Sequence, residues 1–286
     1  MSRTISVGLL QLSPSHGAKD ANMATARRLV QESQAESLDF LVLPEMAFTG
    51  YLFLNSELAD VLAEETSSGP TFDWAAEHAR RLNCGVLVGF IRRGEDKKLY
   101  NSLMIVDPQG KLVTCYDKTF LFEADKAWAE AGKGFSSFEC SWLDNLRVGV
   151  GICMDINPKD FVAPWGAFEL ANFHKEAKCD LVILSSAWCN RHPNDPVESP
   201  INGPETINYW ASRLRPLIGT STHFVVANRV GSEPATLIRP DSSGNVTFVG
   251  SSCAISLHEP MLVDALRTDE ERLLLVSLPC RSSSAP

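Results

Sequence analysis

Short apolar runs alternate with amphipathic stretches along most of the chain. "TISVGLLQL" (4–12) predicts a first strand, and "DANMATARRLVQESQAE" (20–36) has helical spacing with Asp20 placed as its N-cap. "DFLVLPE" (39–45) is a short buried strand that ends in a Pro-Glu corner. "PTFDWAAEHARRLN" (70–83) predicts a helix opened by proline, and "CGVLVGFIRR" (84–93) a strand. Two strands around a Pro-Gln-Gly turn are predicted over 99–118. The alternation then resumes with a strand at 146–153, a helix at 168–179 and a strand, "DLVILSSAW", at 180–188 that closely matches "DFLVLPE". A helix over 205–220 carries Pro216 in its last part, where proline breaks or kinks it. Strands at 223–230, 245–257 and 272–279 close the pattern.

This order predicts an α/β layered fold. No linker or repeat divides it, so residues 1–280 read as a single domain and 281–286 as a frayed tail. The one long irregular stretch, "CNRHPNDPVESPINGPE" (189–205), is rich in Pro and Asn. A loop of that length inside a compact domain serves as a lid or pocket wall.

Composition narrows the function. The chain has 286 residues, 44% hydrophobic and 21% charged, which is ordinary for a globular protein. Its net charge of −9 and lack of basic tracts argue against nucleic acid as a partner. No apolar run approaches membrane-spanning length, so no membrane is expected. The opening "MSRTISVGLLQLSP" is too short in apolar length for a signal peptide. The eight cysteines show no CxxC spacing and no zinc-type Cys/His cluster. Most sit in apolar runs as small hydrophobes, which points to a reducing, cytoplasmic setting.

Three polar residues end apolar strands: Glu45 in "LVLPEMAFTGY", Lys118 in "VTCYDKTFLF" and Cys153 in "GVGICMD". A thiol must lose its proton to act as a nucleophile. A carboxylate shielded from water has a raised pKa and can accept that proton. A fixed ammonium can hold the oxyanion formed when a carbonyl is attacked. Taken singly, each has a bland reading: a packed thiol, a turn carboxylate, a hairpin-end charge. Trp165 and Trp188 are open between pocket lining and core packing, and Arg229 in "ANRVG" between pairing with an acid and orienting a loop.

In that order the three motifs resemble those of the carbon–nitrogen hydrolase (nitrilase) superfamily, whose catalytic set is Glu, Lys and Cys. The resemblance runs from "VGLLQLSP" to "VSLP" and includes "LVILSSAW", "ANRVG" and "FVGSSCAI". It implies a four-layer αββα sandwich, as monomer or homodimer, with Glu45, Lys118 and Cys153 catalytic and no metal or organic cofactor. It also implies a second acid after the lysine. Glu123 and Glu130 are the local candidates, and Glu130, beside the glycines of "AWAEAGKGF", is preferred. "CMDINPKDFVAPWGAFELANF" and "INYWASRLRPLIG" resemble the fungal-type N-terminal asparagine/glutamine amidase branch. That branch implies peptide or protein substrates with N-terminal Asn or Gln, hydrolysed to Asp or Glu through a Cys thioester, with release of ammonia. The product then feeds N-terminal-residue-dependent protein degradation. A selective site needs an acid for the α-ammonium, and Asp155, beside the nucleophile, is the first candidate. Two rival functions stand: an amidase of the same superfamily acting on a free small amide or carbamoyl compound, and a non-catalytic scaffold. A nitrilase acting on C≡N is a weaker third.

Overall fold

The computed structural model describes residues 3–199 and 202–280; the tail predicted over 281–286 lies outside them. The first half runs β1 (Arg3–Gln11), α1 (Lys19–Glu32), β2 (Phe40–Val42), α2 (Ser56–Asp60), α3 (Pro70–Leu82), β3 (Gly85–Arg93), β4 (Leu99–Val106) and β5 (Leu112–Asp117). The second runs β6 (Ser136–Cys140), β7 (Leu146–Ile152), α4 (Glu169–Glu176), β8 (Leu181–Ser186), α5 (Asn202–Arg213) and β9 (His223–Asn228). Short strands β10 (Ser232–Pro234), β11 (Asn245–Thr247), β12 (Cys253–Ser256) and β13 (Met261–Ala265) precede the long β14 (Arg272–Cys280).

The strands form two six-stranded sheets, ordered β14-β1-β2-β3-β4-β5 and β13-β12-β9-β8-β7-β6. Each has two parallel pairings at its centre, β1–β2–β3 and β7–β8–β9, flanked by antiparallel strands. β2 and β8, the two matching sequence runs, occupy corresponding central places. Alternation along β2 explains the layering. Phe40 and Val42 face a core shared with Val148, Val150 and Ile183 of the opposite sheet. Leu41 and Leu43 face the other way, against Leu29 of α1 and Trp74 of α3. On the far side, Val182 and Leu184 of β8 pack on Leu170 of α4 and Trp210 of α5. The result is the expected αββα sandwich. Central strands covered on both faces read as unbroken apolar runs, which is why "LVILSS" shows no polar alternation.

The glycines of "RVGVGIC" are packing positions. A Cβ on Gly149 would come within 2.4 Å of the buried His174 ring of α4. Some local expectations fail. Helix α1 is capped at Ala18 with no side-chain bond, and Asp20 lies inside its first turn, where it still suits the helix dipole. Helix α5 starts earlier and stops earlier than expected. Pro216 sits beyond it in a separate short turn (Arg215–Leu217), because a proline disfavours helical geometry in the residue before it.

Candidate active site

Three strand ends converge. Glu45 follows β2, Lys118 follows β5, and Cys153 follows β7. The Pro-Glu corner after β2 lies against Gly89 of β3, where a Cβ would meet Glu45 Cα, Met46 N and Pro44 O at 2.7 Å each. Across the sheets, Ser185 Oγ of β8 donates to the Leu43 carbonyl at 3.0 Å. The Ala187 N–H donates to Glu45 Oε2 at 2.8 Å. The ends of β2 and β8 are therefore laced together at the site.

Lys118 is wholly buried between two carboxylates. Its Nζ donates to Glu45 Oε1 at 2.7 Å and to Asp125 Oδ2 at 2.6 Å. Asn101, buried in β4, bridges the same two acids: its Nδ2 donates to Glu45 Oε1 at 2.7 Å and Asp125 Oδ1 at 3.0 Å. The Phe122 N–H adds a bond to Asp125 Oδ2 at 2.8 Å. Burial by itself lowers the pKa of Lys118, but Asp125 and Glu45 outweigh it, so the ammonium is held charged. Glu45 moves upward: burial raises its pKa, opposed by Lys118 and reinforced by Asp125. A carboxylate with raised basicity beside a permanent cation is equipped to take and return a proton.

Asp125 holds the second-acid position on Lys118, which corrects the expectation for Glu130. Glu130 is exposed and pairs at 3.3 Å with exposed Lys98. Glu123 is also exposed and pairs with Arg239 at 2.6 Å. Asp125 opens a single 3-10 turn (Asp125–Ala127), too short for any periodicity to mark it. The available signal was in β4: Asn101 and Ser102 are fully buried polar residues inside an apolar run, and such groups need partners.

Cys153 has a left-handed backbone, φ +40°. Non-glycine residues adopt this at a cost of about 1–3 kcal/mol, and such strain concentrates at functional sites. Asp155 maintains the turn. Its Oδ2 accepts from the Ile152 N–H and the Tyr116 hydroxyl, both at 2.8 Å. Its Oδ1 accepts from the Thr119 N–H at 3.1 Å and the Phe120 N–H at 2.7 Å. These four bonds, in a fully buried carboxylate, correct the expectation that Asp155 reads an incoming ammonium: it ties the cysteine turn to the segment after Lys118. Burial raises its pKa to about 6, against the N–H and O–H donors that favour the ion.

Cys153 as a residue is 7% exposed. Burial, then the Glu45 charge, push its pKa well above the ordinary value, while Lys118, the Ser186 hydroxyl and the Ala187 N–H pull it down. The resting group is a neutral thiol that needs a base. Strand register explains Ser186: Ile152 pairs with Ser185, so the next residues, Cys153 and Ser186, emerge side by side. Ser186 Oγ is buried without a conventional hydrogen-bond partner.

Cys153 opens onto a cavity of about 150 Å³. Tyr51, Phe122, Asn157, Phe161 and Trp188 contribute to its walls, with Cys189 and Arg191 from the long irregular stretch. None of the described lining residues is acidic. Tyr51 is placed by its backbone: its N–H and that of Leu52 donate to the buried Glu233, at 3.0 Å and 2.8 Å. Arg229 pairs with Glu233 and lies 3.9 Å from the Phe248 ring centroid. Arg229 thus pairs with an acid and thereby orients a loop. Trp188 lines the cavity while packing edge-on against Trp210 at 5.6 Å. No group of His, Cys, Asp and Glu among the described residues is arranged to hold a metal ion.

The family model for carbon–nitrogen hydrolases matches residues 6–164. The chain is 35% identical over 272 residues to the protein N-terminal amidase of Schizosaccharomyces pombe, covering 88% of this chain and 91% of that protein. It is 30% identical over 209 residues to the protein N-terminal amidase of Saccharomyces cerevisiae, covering 65% of this chain and 45% of that protein. A crystal structure of an N-terminal amidase with a Gln-Val peptide shares the fold, with a TM-score of 0.83 at 19% identity over 97% of this chain and 98% of that one. On these matches and this architecture, the chain belongs to the carbon–nitrogen hydrolase family.

Proposed function

We propose that this hydrolase is a protein N-terminal amidase, converting N-terminal Asn or Gln of peptides and proteins to Asp or Glu. The observation that carries the reading is the convergence of Cys153, at the mouth of a cavity of about 150 Å³, with the buried Glu45–Lys118–Asp125 cluster. The likeness to the Schizosaccharomyces pombe protein N-terminal amidase, at 35% identity over most of both chains, supports the substrate class.

Cys153 Sγ attacks the side-chain amide carbon as its proton passes to Glu45. Two of the three Lys118 donors are engaged by carboxylates, and the third serves the developing oxyanion. The C–N bond breaks as Glu45 returns the proton to the leaving nitrogen, giving ammonia and a Cys153 thioester. Glu45 then takes a proton from water as the water oxygen attacks the thioester carbon, and returns it to Sγ as the C–S bond breaks, releasing the new carboxylic acid and restoring both groups. For the α-ammonium, Glu45, Asp125 and Asp155 set three buried carboxylates against one ammonium, Lys118. With all four ionised they carry two net negative charges, of which the Arg191 guanidinium on the cavity wall offsets one, so the balance around the cavity still favours a cation. Thiols at Cys84, Cys115, Cys153, Cys179, Cys189 and Cys253, none in a disulfide, suit the cytosol. No helix of the described residues is long and apolar enough to cross a membrane.

Cys153→Ala tests the chemistry. It should abolish ammonia release from a Gln-initiated peptide while melting near wild type. The wild type, quenched during turnover, should show a peptide adduct by mass spectrometry. Ammonia release by the alanine protein would reject the mechanism.

A further inference from the structure

A carboxylate that takes and returns protons needs an open acceptor position, and each of its oxygens offers two. Glu45 Oε1 has both filled, by Lys118 Nζ and by Asn101 Nδ2, each at 2.7 Å. Among the described residues, Oε2 accepts only from the Ala187 N–H, at 2.8 Å. That N–H also lies against the Cys153 sulfur, where it favours the thiolate. Oε2 is therefore the oxygen on the thiol side, and it keeps the open position.

Packing does not explain an amide at position 101. Asn101 is fully buried in β4, in register with Ile91 of β3. Its backbone carbonyl accepts the Lys118 N–H at 2.8 Å, and its Nδ2 donates to Asp125 Oδ1 at 3.0 Å as well as to Glu45. One residue thus touches all three charged groups. Its Oδ1, however, is buried with no hydrogen-bond partner among the described residues. Such orphans are rare because they are costly. Leucine has the same branched outline and would leave no orphan, but it has no Nδ2 donor.

We propose that Asn101 is a positioning residue: by filling the last acceptor position of Glu45 Oε1, it directs every proton exchanged in catalysis to Oε2. The thiol proton passes from Sγ to Oε2 and on to the leaving nitrogen. The water proton passes to Oε2 and back to Sγ. The inference rests on the amidase reading and assigns the atom that does its proton transfer. Burial raises the Glu45 pKa, Lys118 opposes that, Asp125 adds to it, and the Asn101 bond opposes it. The Tyr51 hydroxyl, the thiols of Cys153 and Cys189 and the Arg229 guanidinium also act on Glu45. A change at Asn101 removes none of these.

Asn101→Leu removes the donor and the orphan together. The acid limb of kcat/KM, read by ammonia release from a Gln-initiated peptide, should move up by about one pH unit. On the pH plateau kcat should fall about tenfold. KM should stay within about twofold, because Asn101 is not among the described residues that line the cavity. An acid limb that stays or moves down in folded, active protein, or a loss carried by KM alone, would overturn the proposal. If the variant does not fold, the wild type decides. With 15N-labelled asparagine, the Asn101 side-chain amide resonance should shift across pH with the midpoint of the acid limb, and an amide indifferent to pH would overturn the proposal. Silence of folded wild type on every Asn and Gln peptide would reject the amidase reading, whereas the amide titration reports on the Asn101–Glu45 bond without substrate.

Discussion

Asp125→Asn keeps the shape of the side chain and removes one of the two negative charges that hold Lys118. The Asp125 carboxylate accepts from Lys118 Nζ, the Phe122 N–H and Asn101 Nδ2, at 2.6, 2.8 and 3.0 Å. An asparagine can keep its carbonyl oxygen toward Lys118 and Phe122. Its amide nitrogen then faces Asn101 Nδ2, donor against donor. The Lys118 bond keeps its cation but loses the anion, the Phe122 bond becomes neutral, and the Asn101 bond is lost. Hydrogen bonds to charged groups contribute about 1.5–3 kcal/mol. Breaking a buried ion pair outright costs about 3–5 kcal/mol, but Glu45 still faces Lys118. The expected destabilisation is therefore about 2–3 kcal/mol, read from urea unfolding. The kinetic signature is more specific. Asp125 helps to raise the pKa of Glu45, so its removal must lower it. The acid limb of kcat/KM, followed by ammonia release across pH, should move to lower pH, and the rate at neutral pH should fall as the base weakens. An acid limb that stays in place, with protein that is folded and active, would refute the coupling of Asp125 to Glu45.

Three further perturbations test other parts of the account. Ser186→Ala removes a hydroxyl that lowers the Cys153 pKa; alkylation of Cys153 by iodoacetamide at fixed pH should slow and kcat should fall with it, with rescue by Ser186→Thr, and an unchanged alkylation rate would remove Ser186 from the site. Gly89→Ala drives a methyl group into backbone atoms at 2.7 Å, so it should cost about 1–3 kcal/mol and most of the activity by displacing Glu45, whereas full activity would mean that the corner gives way freely. Burial lowers the His174 pKa from 6.5 to about 4, so the folded protein resists a proton that the unfolded chain accepts, and stability falls as pH drops from 6.5 toward 4. Between pH 6.5 and 5 this amounts to about 2 kcal/mol. Asp155, raised from 3.8 to about 6, acts with the opposite sign in the same window. Comparing wild type with His174→Gln at pH 7 and pH 5 cancels that term: the variant should lose about 2 kcal/mol less stability on acidification, and parallel losses would reject a buried neutral imidazole.

The sandwich was legible in the sequence because its central strands are covered on both faces and stand out as apolar runs. Edge elements were not. β6, "SSFEC", and β13, whose Met261 and Leu262 are exposed, present mixed surfaces without a clean period. Glu45, Lys118 and Cys153 were legible because each terminates an apolar strand, and the fold brings those three ends together. Asp125 was not, since its partners lie on β2, β4 and the end of β5, and nothing along its own segment records them. Asp155 was noticed for its nearness to the cysteine, but sequence nearness does not tell a carboxylate that meets substrate from one whose four bonds are already made. Glu130 drew attention through neighbouring glycines, of which Gly132 lies against the Asp117 carbonyl, a backbone packing constraint unrelated to Lys118.

The central claim is that Cys153 hydrolyses the side-chain amide of an N-terminal Asn or Gln. The direct measurement is ammonia release from matched peptides beginning Asn, Gln, Gly-Asn and acetyl-Asn, with free asparagine and glutamine alongside. The account predicts release from the Asn and Gln peptides, and none from the acetylated or internal ones. Release from the free amides alone, or at equal rates from the acetylated peptide, would contradict it.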